Sequence, residues 1–267
     1  MRREPLASSV RLPRTRLAAA TAGLSCLLVL ASGAASGAAS DLPPRTTPAD
    51  AVRAHEAARA RVDRLRAAEA RPAELAGAER RRKTVRDGLW DLLRAVGRNA
   101  GDPVAVDASG HEGHCPVHRR GRPPHHRTGG PWTAPTRGYW LSAGYAARGT
   151  RWARRHTGQD FAVGTGTPVY AVGPGSVYAT TCGDGFGNQV VIRHPDGYFT
   201  QYAHLSRIDV RKDDRVSPGT RIGLAGATGN VTGPHLHFEV RITPYLGSSV
   251  SPLPWLRRKN VDVASER

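Results

Sequence analysis

Three short segments of the chain concentrate side chains that can bind a metal ion or transfer a proton. The first holds His156 and Asp160, the second ends a β-prone run with His204, and the third is a glycine-rich loop followed by His235 and His237. Nitrogen and oxygen donors without cysteine are typical of a catalytic zinc site, where three protein ligands leave a position for water. In any one of these segments alone, such a histidine or aspartate is more often a structural or solvated residue. The hypothesis of a zinc site therefore depends on the three segments together.

Local patterns predict which elements carry these residues. Gly158 and the β-prone run 161–163 indicate that His156 lies in a loop entering a strand. Alternate strand residues face one side, so His235 and His237 address one point, as two ligands or as a ligand and an acid–base group. Two exposed histidines on a polar strand face are the alternative. Zinc polarises a carbonyl group and lowers the pKa of a bound water. The histidines that do not bind the metal would deprotonate this water, protonate the leaving amine or stabilise the oxyanion.

The ordered motifs H-x-G-x-D, Y-x-H-L-S and G-x-T-G-x-x-T-G-P-H-L-H-F-E resemble those of the lysostaphin-type (LytM-type) zinc endopeptidases of bacterial walls. The resemblance runs from about residue 139 to residue 257. It implies three Zn2+ ligands and two catalytic histidines. The ligands are His156, Asp160 and His237, and the catalytic histidines are His204 and His235. All five positions hold the residue type of the family pattern.

This resemblance implies a secreted zinc-dependent endopeptidase that hydrolyses peptide bonds in peptidoglycan stems or cross-bridges. The alternative is a non-catalytic module of the same fold, which binds the wall or activates an amidase. The intact set of five residues favours the enzyme, because a binding module has no need of two histidines beside the metal ligands.

The fold class follows from the spacing of apolar residues and turns. From residue 139 onward, short β-prone runs alternate with turn signals, which predicts a mostly β, compact antiparallel β-sheet domain. These runs are 168–172, 176–179, 189–194, 199–203, 221–224 and 236–242. Earlier, Thr47 and Pro48 predict a helix start, and Pro72 interrupts the helical pattern near Arg71. The N-terminal part is therefore predicted as an α-helical hairpin or coiled-coil arm.

The predicted organisation has five parts. They are a signal peptide over 1–40, a helical arm over 41–100, a Gly/Pro/His-rich linker over 101–137, a zinc metallopeptidase domain over 138–258 and a tail over 259–267. Basic residues, an apolar stretch and then small residues predict an export signal, and the stretch is too short for a membrane span of about 20 residues. A lipoprotein signal at Cys26 is disfavoured because Cys26 lies inside the apolar stretch. A secreted, extracellular or wall-associated protein is predicted.

The charge predicts an anionic partner. The formal net charge is +17, and removal of five arginines and one glutamate with residues 1–40 leaves 17 − 4 = +13. For an exported protein, peptidoglycan peptides and anionic wall polymers are the nearest such partners. Solvation of the surface by arginine is the alternative. Nucleic acid is disfavoured by the export signal and by the lack of aromatic residues among the arginines.

The linker is rich in histidine and carries one cysteine: His111, His114, Cys115, His118, His125 and His126. The spacing matches no standard Cys₂His₂ zinc site, which favours a flexible spacer over a second metal site. A less favoured hypothesis is that one of these histidines binds the catalytic metal and slows turnover. Only two cysteines remain after export, so a Cys115–Cys182 disulfide is predicted.

Overall fold

The computed structural model describes residues 46–100, 123–126, 128–149 and 155–264. The predicted signal peptide lies outside the described residues, as do Cys115 and the linker histidines His111, His114 and His118. The described part holds three helices and ten strands. The helices are α1 (Pro48–Ala67), α2 (Pro72–Ala100) and α3 (Pro252–Arg257). The strands are β1 (Trp140–Leu141), β2 (Gln159–Ala162), β3 (Pro168–Tyr170), β4 (Gly175–Asp184), β5 (Gly187–Arg193), β6 (Phe199–Ile208), β7 (Arg215–Val216), β8 (Arg221–Ala225), β9 (Leu236–Arg241) and β10 (Ser249–Val250).

The strands form one sheet in which every pairing is antiparallel. The main order is β1-β2-β9-β6-β5-β4-β7; β10 pairs with β9, and β8 pairs with β3 and β6. Strand β9 thus lies between β2 and β6. This arrangement confirms the predicted antiparallel β-sheet domain. It also places the third motif of the sequence between the first and the second.

One face of the central strands is apolar. Tyr202, Leu236, Phe238 and Val240 are fully buried in one hydrophobic cluster. Because residues i and i+2 of a strand share a face, the residues between them on β9, from His237 onward, face the other side of the sheet. The hydrophobic face therefore fixes the direction in which the metal-competent residues point.

Helices α1 and α2 form a helical hairpin whose first end was predicted from sequence. Thr47 caps α1: its hydroxyl accepts from the Asp50 N–H while the Asp50 carboxylate accepts from the Thr47 N–H. The C-terminal end of α1 is Ala67, four residues before Arg71, where the sequence pattern predicted the interruption. Glu69 has a φ of 47°, and the N–H of Ala70 donates to Leu65 O, which is a Schellman ending without glycine.

The helical hairpin packs against the sheet domain. The indole of Trp90 lies 5.8 Å from the ring of Phe199 and 5.6 Å from that of Tyr245. Leu89 and Leu93 are buried in the same cluster as the domain core. A polar contact adds to this packing, since the Tyr198 hydroxyl donates to the Glu56 carboxylate over 2.9 Å. The first helix, poor in apolar residues, therefore gains its stability from tertiary contacts.

Segments beside the predicted domain limits also pack on the sheet. The ring of Trp132 lies 5.1 Å from that of Trp255, and the Lys259 ammonium lies 4.5 Å from the Trp132 ring centroid. Val261 and Val263 are buried. The limits at 138 and 258 stay predictions. Cys182 is disulfide-bonded, while its predicted partner Cys115 lies outside the described residues. Among the described helices, none combines the length and apolar character needed to cross a membrane.

Candidate metal centre

Three side chains from two strands and one loop converge on one point. Asp160 on β2 lies opposite His237 on β9, and His156 lies in the loop before β2. Asp160 Oδ1 is 2.8 Å from His237 Nδ1 and 3.0 Å from His156 Nε2, and the two nitrogens are 3.0 Å apart. In the part of the chain that the structure describes, these three form the group able to hold a metal ion. The structure thus brings together the three ligands predicted from sequence.

Each imidazole of this cluster is oriented by its second nitrogen. His156 Nδ1 lies 2.9 Å from the carbonyl oxygen of Gly144, which can only accept, so in the neutral ring Nε2 carries the lone pair that faces the cluster. His237 Nε2 lies 3.0 Å from Glu239 Oε1, which leaves Nδ1 facing Asp160. Metal-binding histidines commonly show this arrangement, in which a carbonyl or carboxylate fixes the ring.

A steric constraint explains why residue 158, in the first motif, is glycine. A Cβ at Gly158 would lie 2.4 Å from Phe238 O and 2.9 Å from the imidazole of His237. Real Cβ atoms do not approach backbone so closely. The loop that carries His156 can therefore cross β9 beside His237 only if residue 158 has no side chain.

The electrostatics of the cluster favour a bound cation. Burial alone would raise the pKa of Asp160, but hydrogen bonds from His156 and His237 outweigh burial and lower it. Burial alone would lower the pKa of His237, but the carboxylates of Asp160 and Glu239 outweigh it and raise the pKa to about 9. Two carboxylates thus enclose one imidazole. With two nitrogens and one oxygen as donors, the cluster fits a zinc ion.

His204 owes its direction to a break in β6. The pairing of β5 with β6 shifts register between Asn188 and Val190, and His204 has a φ of 60°, in the left-handed region. Ala203 pairs with His237, whereas Leu205 is buried in the core. Regular alternation would send the His204 ring into the core; the bulge turns it instead towards His237, at 5.8 Å between ring centroids.

His204 and His235 lie side by side next to the cluster. Their ring centroids are 4.7 Å apart, and His235 Nε2 is 3.7 Å from Asp160 Oδ1. Both Nδ1 atoms face carbonyl oxygens, Thr228 O at 2.8 Å and Gly233 O at 2.9 Å, so in the neutral rings Nε2 is the acceptor. Burial, with the nearby His237, lowers the pKa of His204 to about 4. The His204 ring is therefore neutral at neutral pH.

Sequence reasoning missed the residues behind the cluster. Glu239 and Arg241 follow His237 on the same face of β9, and both are fully buried. Burial alone would raise the pKa of Glu239, but the charge of Arg241 and the His237 hydrogen bond lower it to about 2. The available signal was an acidic and a basic residue two and four positions after His237, in the strand that follows the His-x-His pair.

Two linker histidines lie away from the cluster. The backbone of His125 bridges Thr220, and the His126 N–H donates to Gly219 O. These contacts are at the start of β8, whereas the cluster is near its other end, where Gly226 bridges His235. The strand rise makes that separation roughly 20 Å. His125 and His126 are therefore not ligands of this cluster.

Comparison with known proteins identifies the same region. Residues 154–252 match the family model described as Peptidase family M23. Peptidoglycan DD-endopeptidase ShyA of Vibrio cholerae is 55% identical over 85 residues, which are 32% of this chain and 20% of ShyA. DD-carboxypeptidase/endopeptidase Mpg of Neisseria meningitidis serogroup B is 45% identical over 100 residues, 38% of this chain and 22% of Mpg. The chain spans about a fifth of the length of these relatives.

Solved structures with related sequences include the catalytic domain of lysostaphin from Staphylococcus simulans. It is 33% identical, with a TM-score of 0.43, and the alignment covers 45% of this chain and 92% of that domain. A zinc-containing peptidase from Vibrio cholerae is 37% identical, with a TM-score of 0.40 over 47% of this chain and 39% of that protein. The family match, which spans β2 to the start of α3, agrees with the resemblance predicted from the three motifs. Residues 154–252 are a peptidase family M23 domain.

Proposed function

We propose that the chain is a secreted zinc-dependent endopeptidase that hydrolyses peptide bonds in peptidoglycan stems or cross-bridges. The observation that carries the proposal is the convergence of a His-Asp-His cluster with two further histidines whose Nε2 atoms are acceptors. The names of the relatives, DD-endopeptidases of peptidoglycan among them, support this substrate class.

The metal part of the proposal assigns His156 Nε2, Asp160 Oδ1 and His237 Nδ1 as the zinc ligands. Zinc held there would supply Lewis acidity, which polarises a peptide carbonyl and makes water a stronger acid. The side chains of Asp160 and His235 keep 12% and 16% exposure, so a substrate can reach this side of the cluster.

The proton-transfer part assigns His204 and His235. In the neutral form, each ring accepts through Nε2 because a carbonyl oxygen holds its Nδ1–H. Either ring can take a proton from the attacking water, pass it to the leaving amine, and stand beside the developing oxyanion. The low pKa of His204 keeps that ring in the accepting form above about pH 4.

The non-catalytic alternative is less well supported. A wall-binding or amidase-activating module needs a peptide surface, but it has no use for two oriented histidines beside three metal ligands. Secretion, wall association and binding to anionic wall polymers belong to the same proposal. They follow from the N-terminal pattern and from the charge of +13 that remains after residues 1–40.

The test is digestion of purified peptidoglycan by the mature protein, followed by mass spectrometry of the released muropeptides. We expect new amine and carboxyl ends with zinc, none after chelation, and recovery on zinc addition. His125→Ala, a histidine bound at the far end of β8, is the matched control and should keep full activity. Intact muropeptides with one zinc per chain would contradict the endopeptidase.

A further inference from the structure

A chain of buried polar side chains runs away from the metal cluster across the sheet. His237, Glu239 and Arg241 lie on one face of β9 and are joined by hydrogen bonds. From Arg241 the hydrogen bonds continue to Gln201 on β6, and from Gln201 to Gln189 on β5. Glu239, Gln201 and Gln189 have no exposed surface, and Arg241 has 1%. Buried polar groups in such a network hold one another in a single arrangement when all are hydrogen-bonded.

Glu239 occupies the central position of this chain. Its Oε1 accepts from His237 Nε2 over 3.0 Å, and its Oε2 accepts from Arg241 Nε over 2.5 Å. An ionised carboxylate only accepts hydrogen bonds. Glu239 therefore holds a hydrogen on His237 Nε2, and Nδ1 is the nitrogen that faces Asp160 and His156.

Arg241 holds the carboxylate in place and balances its charge. The Arg241 guanidinium also donates to Pro244 O over 2.9 Å and to the side-chain oxygen of Gln201. Its carbon lies 5.7 Å from the ring centroid of Phe186. Each of the three nitrogens of this guanidinium thus donates a hydrogen bond, which restricts its position. A buried carboxylate without such a partner is strongly unfavourable.

We propose that Glu239, held by Arg241, is a positioning residue that keeps His237 in the tautomer whose Nδ1 can bind a metal ion. The proposal rests on the proposed function, because it takes His237 as a zinc ligand. Without the carboxylate, the ring can rotate or place its hydrogen on Nδ1, and both changes oppose metal binding. Loss of such an outer partner typically weakens metal binding by about 10–100-fold.

The variant that tests this is Glu239→Gln, with Val240→Ala as its matched control. Val240 is equally buried on the same strand but faces the hydrophobic core. Zinc affinity, measured by competition with a chromophoric chelator, should fall about 10–100-fold in Glu239→Gln. In Val240→Ala, thermal stability should fall while zinc affinity stays unchanged. Unchanged zinc affinity in Glu239→Gln overturns the proposal.

A second measurement needs no variant at position 239. Long-range proton–nitrogen NMR spectra of the metal-free protein, recorded at alkaline pH so that the ring is neutral, report which nitrogen of His237 carries the hydrogen. A protonated Nε2 supports the proposal, and a protonated Nδ1 overturns it.

His237→Ala, measured in parallel, separates this proposal from the proposed function. Full zinc retention in His237→Ala overturns both, because His237 would not be a ligand. Zinc loss in His237→Ala with wild-type affinity in Glu239→Gln overturns only the positioning role.

Discussion

Strands β6 and β9 pass through two regions of opposite character. At one end Ala203 pairs with His237, and the surrounding side chains are histidines and carboxylates. At the other end Phe199 pairs with Arg241, and the hairpin residue Trp90 packs on Phe199 and Tyr245. The first region buries polar groups and holds His204 in a sparsely populated backbone conformation, both of which oppose folding. The second buries aromatic surface, which favours folding.

The comparison teaches that the two ends have separate roles. Residues at the metal cluster are arranged for chemistry at some expense of stability, and residues under the helical hairpin stabilise the strands that carry them. Replacements at the cluster should therefore change metal binding or turnover more than stability. Replacements under the helical hairpin should do the reverse.

The largest effect is expected at the cluster itself. His156→Ala removes one of the three proposed ligands, so zinc affinity should fall by more than the roughly 10–100-fold expected for an outer partner. Release of muropeptides should fall with it. Zinc per chain and muropeptide yield are the measurements. The melting temperature of the metal-free protein should stay near that of the wild type; a large drop would mean that His156 also stabilises the fold.

His204→Ala should separate turnover from metal binding. Loss of acid–base help lowers turnover by about 100-fold or more, while zinc should remain near one per chain. His204→Gly should be more stable than His204→Ala by roughly 1 kcal/mol, because glycine adopts a φ of 60° without strain. Zinc loss in either variant would place His204 among the ligands and contradict its assignment.

Trp90→Ala tests the other region. Loss of its packing on Phe199 and Tyr245 should lower the free energy of unfolding by roughly 2 kcal/mol, as for burial of a large apolar side chain. Zinc affinity should not change. Trp140→Ala is the matched control, since Trp140 is 59% exposed and its loss should affect stability little. Weaker zinc binding in Trp90→Ala would show that the two regions are coupled.

The smallest effect concerns pH and the helical hairpin. Burial lowers the pKa of His55, which lies between Glu56 and the Tyr198 ring with Arg82 and Arg86 nearby. The unfolded chain therefore takes up a proton below about pH 6.5 before the folded chain does, and stability falls as pH falls through that window. His55→Phe should flatten this pH dependence of the melting temperature. An unchanged slope would assign the proton uptake to other groups.

The features predicted correctly depend on local patterns. Thr47 and Pro48 mark the start of α1 because capping involves only neighbouring residues. Six of the seven strands between residues 168 and 242 follow from alternation and from turns; β4 and β6 extend beyond the predicted ends, and the short β7 was not predicted. His235 and His237 were expected to face the same side of a strand, because side chains two positions apart in a strand point in the same direction.

The features missed depend on contacts between distant residues. No local signal marks the bulge at His204, because it arises from the pairing of β5 with β6. Packing of Trp90 on Tyr245 joins residues far apart in the chain, so α1 and α2 were predicted only as an arm. Glu239 was part of a recognised motif, but its partner Arg241 is held by Gln201, which lies beside them only in the folded sheet.

Gly158 offers no donor, charge or apolar surface, yet the backbone of Phe238 leaves no room for a methyl group there. In a library that replaces every position in turn and selects for wall hydrolysis, residue 158 should tolerate as few substitutions as the ligand positions. Gly164, where an added Cβ meets nothing within 4 Å, should accept many. Intolerance to substitution in this domain would thus have two different causes. At the imidazoles and the carboxylate the cause is the chemistry of the side chain, whereas at Gly158 it is lack of space.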